Sequence, residues 1–120
     1  MNAIPSIQAL EERIQWIKAE LASLRDMRPG SLSQQFNVCG KAGCRGKDPQ
    51  NPQRHGPYYQ LSWVPRGKSP TQFIRRPFLP QVRAEIGTYD RFRKLTDQWV
   101  NLSLRIAQAK LLAARRAQAN

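Results

Sequence analysis

The side chains able to do chemistry crowd into one stretch, Val38 to Tyr59. It holds both cysteines, Cys39 and Cys44, the only histidine, His55, and Lys41, Arg45, Lys47 and Arg54 against a single acid, Asp48. Four of the chain's seven glycines lie there too, so its backbone can turn tightly around the charges. The first chemistry to weigh is metal binding. Cys39, Cys44 and His55 fall in a C-x4-C-x10-H spacing and are zinc-ligand types, but a closed tetrahedral site needs four ligands. Only Asp48 or water is left to complete it. The plain alternative is two small buried thiols and a histidine that closes a turn. A Cys-His nucleophile has the right residue types, yet no third orienting group or oxyanion site accompanies it. Of the eight acids, seven fall on expected helices, several at the spacing of charge pairs, so no paired-carboxylate site is visible. The protein is therefore read as a non-enzyme, with no cofactor expected beyond the open question of zinc.

The remaining chemistry is phosphate binding. The formal net charge is +12 and the isoelectric point about 10.9, a balance that points to a polyanionic partner. Residues 1–28 are neutral in sum, 29–76 carry +7 and 77–120 carry +5. Backbone phosphates are held by Lys and Arg, and the candidates are Lys41, Arg45, Lys47, Arg54, Arg66, Lys68, Arg75 and Arg76, with Tyr58 placed to stack on a base. For each charge taken singly the plain reading is a solvated surface, and for Tyr58 and Tyr59 packing at a core or rim. The cluster favours the functional one.

Three kinds of element must position these groups. Ile7, Leu10, Ile14, Ile17, Leu21 and Leu24 recur with gaps of three and four, which predicts a coiled-coil helix over 6–28 with Ser6 as its N-cap. Glu11 and Glu12 early and Arg25 and Arg28 late suit the helix dipole, and Pro29-Gly30 supplies a stop. The period then becomes two. Leu32, Gln34, Phe36 and Val38 face one way on a first strand, and Tyr59, Leu61 and Trp63 share one side of a second. A turn at 65–70 carrying Arg66 and Lys68 leads into a third strand over 71–76. The outward face would show Ser33, Gln35, Asn37, Gln60 and Ser62, residue types that read base edges, and such a sheet is expected to enter a major groove. A last helix over 80–116 follows, opened by Pro80 and interrupted by Gly87, where a bend is expected. The expected fold class is α+β in a single domain, residues 1–120: helix 6–28, a basic three-stranded antiparallel sheet over 31–76 with a glycine-rich knuckle at 38–59, and helix 80–116. The two helices are expected to pair as an antiparallel coiled-coil hairpin, within one chain or exchanged in a dimer.

The N-terminus has neither the basic region nor the apolar run of a signal peptide, and no segment approaches a membrane span. A cytoplasmic, reduced protein with no membrane partner is expected, its cysteines free or ligating.

C-G-K-A-G-C-R-G followed by R-H-G-P-Y-Y resembles the signature of a family of small bacterial and archaeal domains of unknown function, C-G-K-x-G-C-R-C then H-G-P-Y-Y. The likeness runs from about Pro29 to Leu104. Cys39, Cys44 and His55 match that signature, whereas its third cysteine would fall at Gly46, so the zinc knuckle it invites is degenerate here. Members resemble companions of transposase and other mobile-element genes, which implies a DNA-related role. The expected function is thus a nucleic-acid-binding accessory protein, for DNA ahead of RNA, linked to a mobile element. The alternative is a coiled-coil adaptor that uses the helical seams to form a homodimer or to take a helical protein partner.

Overall fold

The computed structural model describes residues 5–37, 55–63 and 71–119, apart from the side chains of Asn37, His55 and Gly56. The fold is α+β: helix α1 (Ile7–Ala22), strands β1 (Ser31–Asn37), β2 (His55–Ser62) and β3 (Thr71–Ile74), a 3-10 turn (Arg76–Phe78) and helix α2 (Leu79–Ala119). These elements make two compact units, one of residues 1–26 with 88–120 and the other Met27–Gly87.

In the first unit the seam residues do what their spacing predicts. Leu10, Ile14 and Ile17 of α1 are buried, and Leu10 and Ile14 cluster with Ile106 of α2, flanked by Ile7, Trp99 and Leu102. Burying each such aliphatic side chain stabilises by about 1.5–3 kcal/mol. The two helices run antiparallel, since Glu11 pairs with Lys110 (3.9 Å) and Glu20 with Arg91 (3.4 Å). Ser6 caps α1 as expected, its Oγ accepting from the Ala9 N–H at 3.1 Å. The C-terminus differs from the expected 28. Ser23 ends the helix: its N–H reaches the Ala19 and Glu20 carbonyls, and its Oγ donates to the Glu20 carbonyl at 2.7 Å. The dipole argument fails with it, because α1 has no acid in its first turn and no base in its last. Glu11 and Glu12 lie a turn too late, and Arg25 and Arg28 lie beyond the end.

Arg28 belongs to the second unit and is held twice by Glu85 on the opening turns of α2. Its main-chain N–H donates to the Glu85 carbonyl at 3.0 Å, and its Nε lies 3.3 Å from Glu85 Oε1. That carboxylate oxygen is buried, and among the described residues it has attraction at ion-pair distance but no aligned hydrogen bond. Leu61 (0 % exposed), Leu79 and Val82 are the buried apolar residues of this unit among those described.

The sheet is antiparallel in the order β1-β2-β3. Leu32 pairs with Leu61 and Gln34 with Tyr59, while Tyr59 and Leu61 pair with Ile74 and Gln72 across β3. At the far end the β1–β2 ladder slips by one residue, from Gln35↔Tyr58 to Asn37↔His55, so Gly56 and Pro57 lie opposite Phe36 alone. Proline has no N–H for the ladder, which is why the bulge forms there and beyond the reach of β3. Phe36, expected on the same side as Leu32, is consequently 48 % exposed. The third strand ends at Ile74, two residues short of expectation, because Pro77 at the start of the 3-10 turn draws Arg76 into that turn. Helix α2 starts at Leu79 and continues to Ala119, three residues past expectation.

Gly87 lies within α2 with nothing inside 4 Å of where a Cβ would stand. Gly87→Ala should therefore gain helix propensity without a clash, raising stability by about 0.5–1 kcal/mol and Tm by about 2–6 °C. Thermal unfolding checks this, and a fall in Tm would show that the glycine serves a bend instead.

Candidate nucleic-acid interface

Strand alternation and register place Ser31, Ser33, Gln35, Tyr58, Gln60, Ser62, Thr71 and Phe73 on one face of the sheet. The other face carries Leu32, Tyr59, Leu61 and Ile74, with the Arg83 guanidinium of α2 standing 5.8 Å over the Tyr59 ring. The first face is the open one. Ser31, Ser33, Thr71 and Phe73 are exposed, and Tyr58 is 41 % exposed. Its polar groups are linked: Gln35 Nε2 donates to Ser33 Oγ (3.2 Å), and Ser33 Oγ in turn to the Gln60 carbonyl (3.5 Å).

Two aromatic rings interrupt that polar surface. Tyr58 on β2 and Phe73 on β3 are diagonal neighbours across the ladder, with ring centroids 6.5 Å apart and planes crossing at 72°. Phe73 is 67 % exposed, an unusual position for a phenyl ring. Beyond it, Arg75 keeps an extended backbone (φ −72, ψ 146) and Arg76 opens the 3-10 turn, both exposed. Pro57, Tyr58, Tyr59, Phe73, Ile74, Arg75 and Arg76 line a groove of about 300 Å³ at this end of the sheet.

Charge is distributed unequally between the two units. In Met27–Gly87 the bases Arg28, Lys41, Arg45, Lys47, Arg54, Arg66, Lys68, Arg75, Arg76 and Arg83 meet only Asp48 and Glu85, and Glu85 is already paired with Arg28. In the helical unit, by contrast, Glu11 and Glu20 are taken up by bases on the facing helix.

Of the site residues expected from sequence, Tyr58, Arg75 and Arg76 come together around one groove. Lys41, Arg45, Lys47, Arg54, Arg66 and Lys68 lie outside the described residues, as do Cys39 and Cys44, and His55 is described only as the first residue of β2. Among the described residues no group of three His, Cys, Asp or Glu side chains gathers as a metal site. Sequence reasoning missed Phe73. The observed register sets it opposite Gln60, on the outward side.

The fold defines a small α+β protein with an antiparallel helix pair and a three-stranded antiparallel sheet, the sheet lying in a unit whose composition is strongly basic. More particularly, the chain belongs to the family described as a domain of unknown function (DUF6788), whose model matches residues 7–84. The match takes in α1, which the resemblance drawn from the cysteine motif left out, and stops early in α2. No curated protein and no solved structure matches the chain. Among the described residues no helix is long and apolar enough to cross a membrane.

Proposed function

We propose that this protein binds nucleic acid on the open face of its sheet, acting as an accessory factor rather than an enzyme. The observation that carries the reading is the composition of that unit, ten bases against two acids. They accompany an exposed sheet face of Ser, Thr and Gln side chains beside Arg75 and Arg76. Phosphates would be held by those two arginines together with Lys41, Arg45, Lys47, Arg54, Arg66 and Lys68, while the carboxamides and hydroxyls meet base edges or sugars. The resemblance of the cysteine motif to a family whose members look like companions of mobile-element genes favours DNA.

Phosphate binding releases counterions, so affinity must fall with salt. Binding of labelled DNA and RNA, followed by fluorescence anisotropy over a salt series, should give a steep log–log slope. Arg75→Ala with Arg76→Ala should flatten it by about 1.4–1.8 and weaken binding about tenfold or more at low salt. Arg66→Ala with Lys68→Ala should act in the same direction. Salt-independent binding, or slopes unmoved by both double variants, would defeat the reading.

One observation favours the second reading, a coiled-coil adaptor. Besides the residues that meet α1, helix α2 shows Val100, Leu104 and Leu111 at 66, 56 and 54 % exposure, spaced by four and seven. An apolar stripe of that period suits another helix, from a second copy or another protein. On this reading the arginine variants leave self-association unchanged and Leu104→Lys abolishes it, which sedimentation would register.

A further inference from the structure

We propose that Tyr58 and Phe73 form a base-stacking site and that the nucleic acid taken by this sheet is single-stranded. This rests on the nucleic-acid reading above and narrows its ligand.

Phe73 gains little from folding where it stands. Full burial of a phenyl ring would stabilise by about 1.5–3 kcal/mol, yet at 67 % exposure most of that is forgone. The register makes it so, since Phe73 is opposite Gln60 on the polar side of the sheet and its neighbour Gln72 is opposite Leu61. A ring held out among hydrogen-bonding side chains is suited to a partner that is flat and apolar on its faces and polar at its edges. An unpaired base fits that description. Because the Tyr58 and Phe73 planes cross at 72°, they form a corner rather than a flat double platform. A base lying on one ring meets the edge of the other. Continuing the register Tyr59↔Ile74 by one residue sets Arg75 opposite Tyr58, so a cation adjoins the corner and lines the same groove. Stacking face, edge-reading carboxamides on Gln35 and Gln60, and a phosphate ligand are thereby assembled within a few residues.

Size and stacking both argue against a duplex. Two interstrand gaps of about 4.8 Å put the outer strands about 10 Å apart before any side chain is added. A B-form major groove is about 12 Å wide and admits a two-stranded ribbon or one helix. The three-stranded face, expected from sequence to enter a major groove, takes up most of that width in backbone alone. In a duplex, moreover, base faces are covered by one another, and exposing one costs a few kcal/mol.

The test is anisotropy with a labelled oligothymidylate, an oligouridylate and a duplex of equal length, using the full chain. Wild type should bind a single strand at least about tenfold tighter than the duplex, with the DNA and RNA arms showing which sugar is preferred. Phe73→Ala and Tyr58→Ala should each weaken single-strand binding about 5- to 100-fold while leaving the salt slope unchanged. Tyr58→Phe and Phe73→Tyr should restore it, since a ring remains. Both side chains are exposed, so unchanged Tm will show that the variants fold. Equal affinity for duplex and single strand with indifferent aromatic variants would overturn the inference and leave the salt-dependent reading standing. Aromatic variants that change self-association instead would overturn it in favour of a protein interface. Absence of salt-dependent binding to every probe would fail the parent reading itself.

Discussion

Gly30→Ala should destabilise the protein by about 2–4 kcal/mol, whereas the same added methyl group at Gly87 meets nothing within 4 Å. Gly30 has φ +140, a backbone conformation that costs an L-residue about 1–2 kcal/mol or more. The new Cβ would also stand 2.9 Å from Leu61 Cδ1 and 3.0 Å from the Ser62 carbonyl oxygen. Neither neighbour can give way cheaply. Leu61 is fully buried, and Ser62 is the β2 residue registered with Ser31, the first residue of β1. Forcing a methyl group into such a place adds about 1–3 kcal/mol of overpacking. Urea unfolding should show a lower midpoint with the slope little changed. Gly87→Ala is the internal control, since it makes the same chemical change at an open helical position and is expected to act in the opposite direction. Were Gly30→Ala to cost less than about 0.5 kcal/mol, the approach of the chain to β1 would not be the one described here. The functional consequence follows from position. Gly30 sets the start of the sheet whose open face is proposed to bind, so this variant should lose salt-dependent binding along with stability.

What could be read from the residues depended on whether local pattern or pairing decided each feature. The start of α1 is local, a serine ahead of an apolar repeat, and Ser6 caps it as expected. Its end was decided by competition: Pro29-Gly30 is a strong stop, but Ser23 folds its hydroxyl back on the helix six residues earlier and Arg28 is drawn to Glu85. The faces of β2 were legible because Tyr59, Leu61 and Trp63 alternate with polar residues. Those of β3 were not. In T-Q-F-I the apolar Phe73 points outward and the polar Gln72 shares the side of Leu61, an inversion of the usual polarity that only the register reveals. The same dependence on pairing hid the slip at Pro57, and with it the exposure of Phe36. As for the candidate site, the charge excess was plain from composition, and Tyr58, Arg75 and Arg76 were named from it. Their meeting at one groove needed the hairpin, and Phe73 needed both.

Ile17→Ala should cost about 2–5 kcal/mol, a large share of the roughly 5–15 kcal/mol that stabilises a domain of this kind. Ile17 is fully buried on α1, and Leu95 of α2, in the same unit, is only 1 % exposed. Truncation removes three carbons from a site where rigid helices on both sides of the seam limit collapse into the cavity. The helix itself makes the loss heavier. At 16 residues α1 is near the length at which an isolated helix is marginal in water, and it has neither an acid in its first turn nor a base in its last. Its helicity therefore depends on burying Leu10, Ile14 and Ile17. Trp16, the residue before it and larger, provides the contrast. It is 40 % exposed, with the Arg13 guanidinium 4.2 Å and that of Arg91 5.9 Å from its ring centroid. Exposed cation–π contacts are worth about 0.5–1 kcal/mol, so Trp16→Ala should cost no more than about 1–2 kcal/mol despite removing the bulkier side chain. Urea unfolding followed by circular dichroism separates the two, with the Ile17 variant expected to lose more midpoint and more helical signal. An inverted order would mean that α1 presents its other face to α2, and the seam read from the spacing of its apolar residues would have to be redrawn around Trp16.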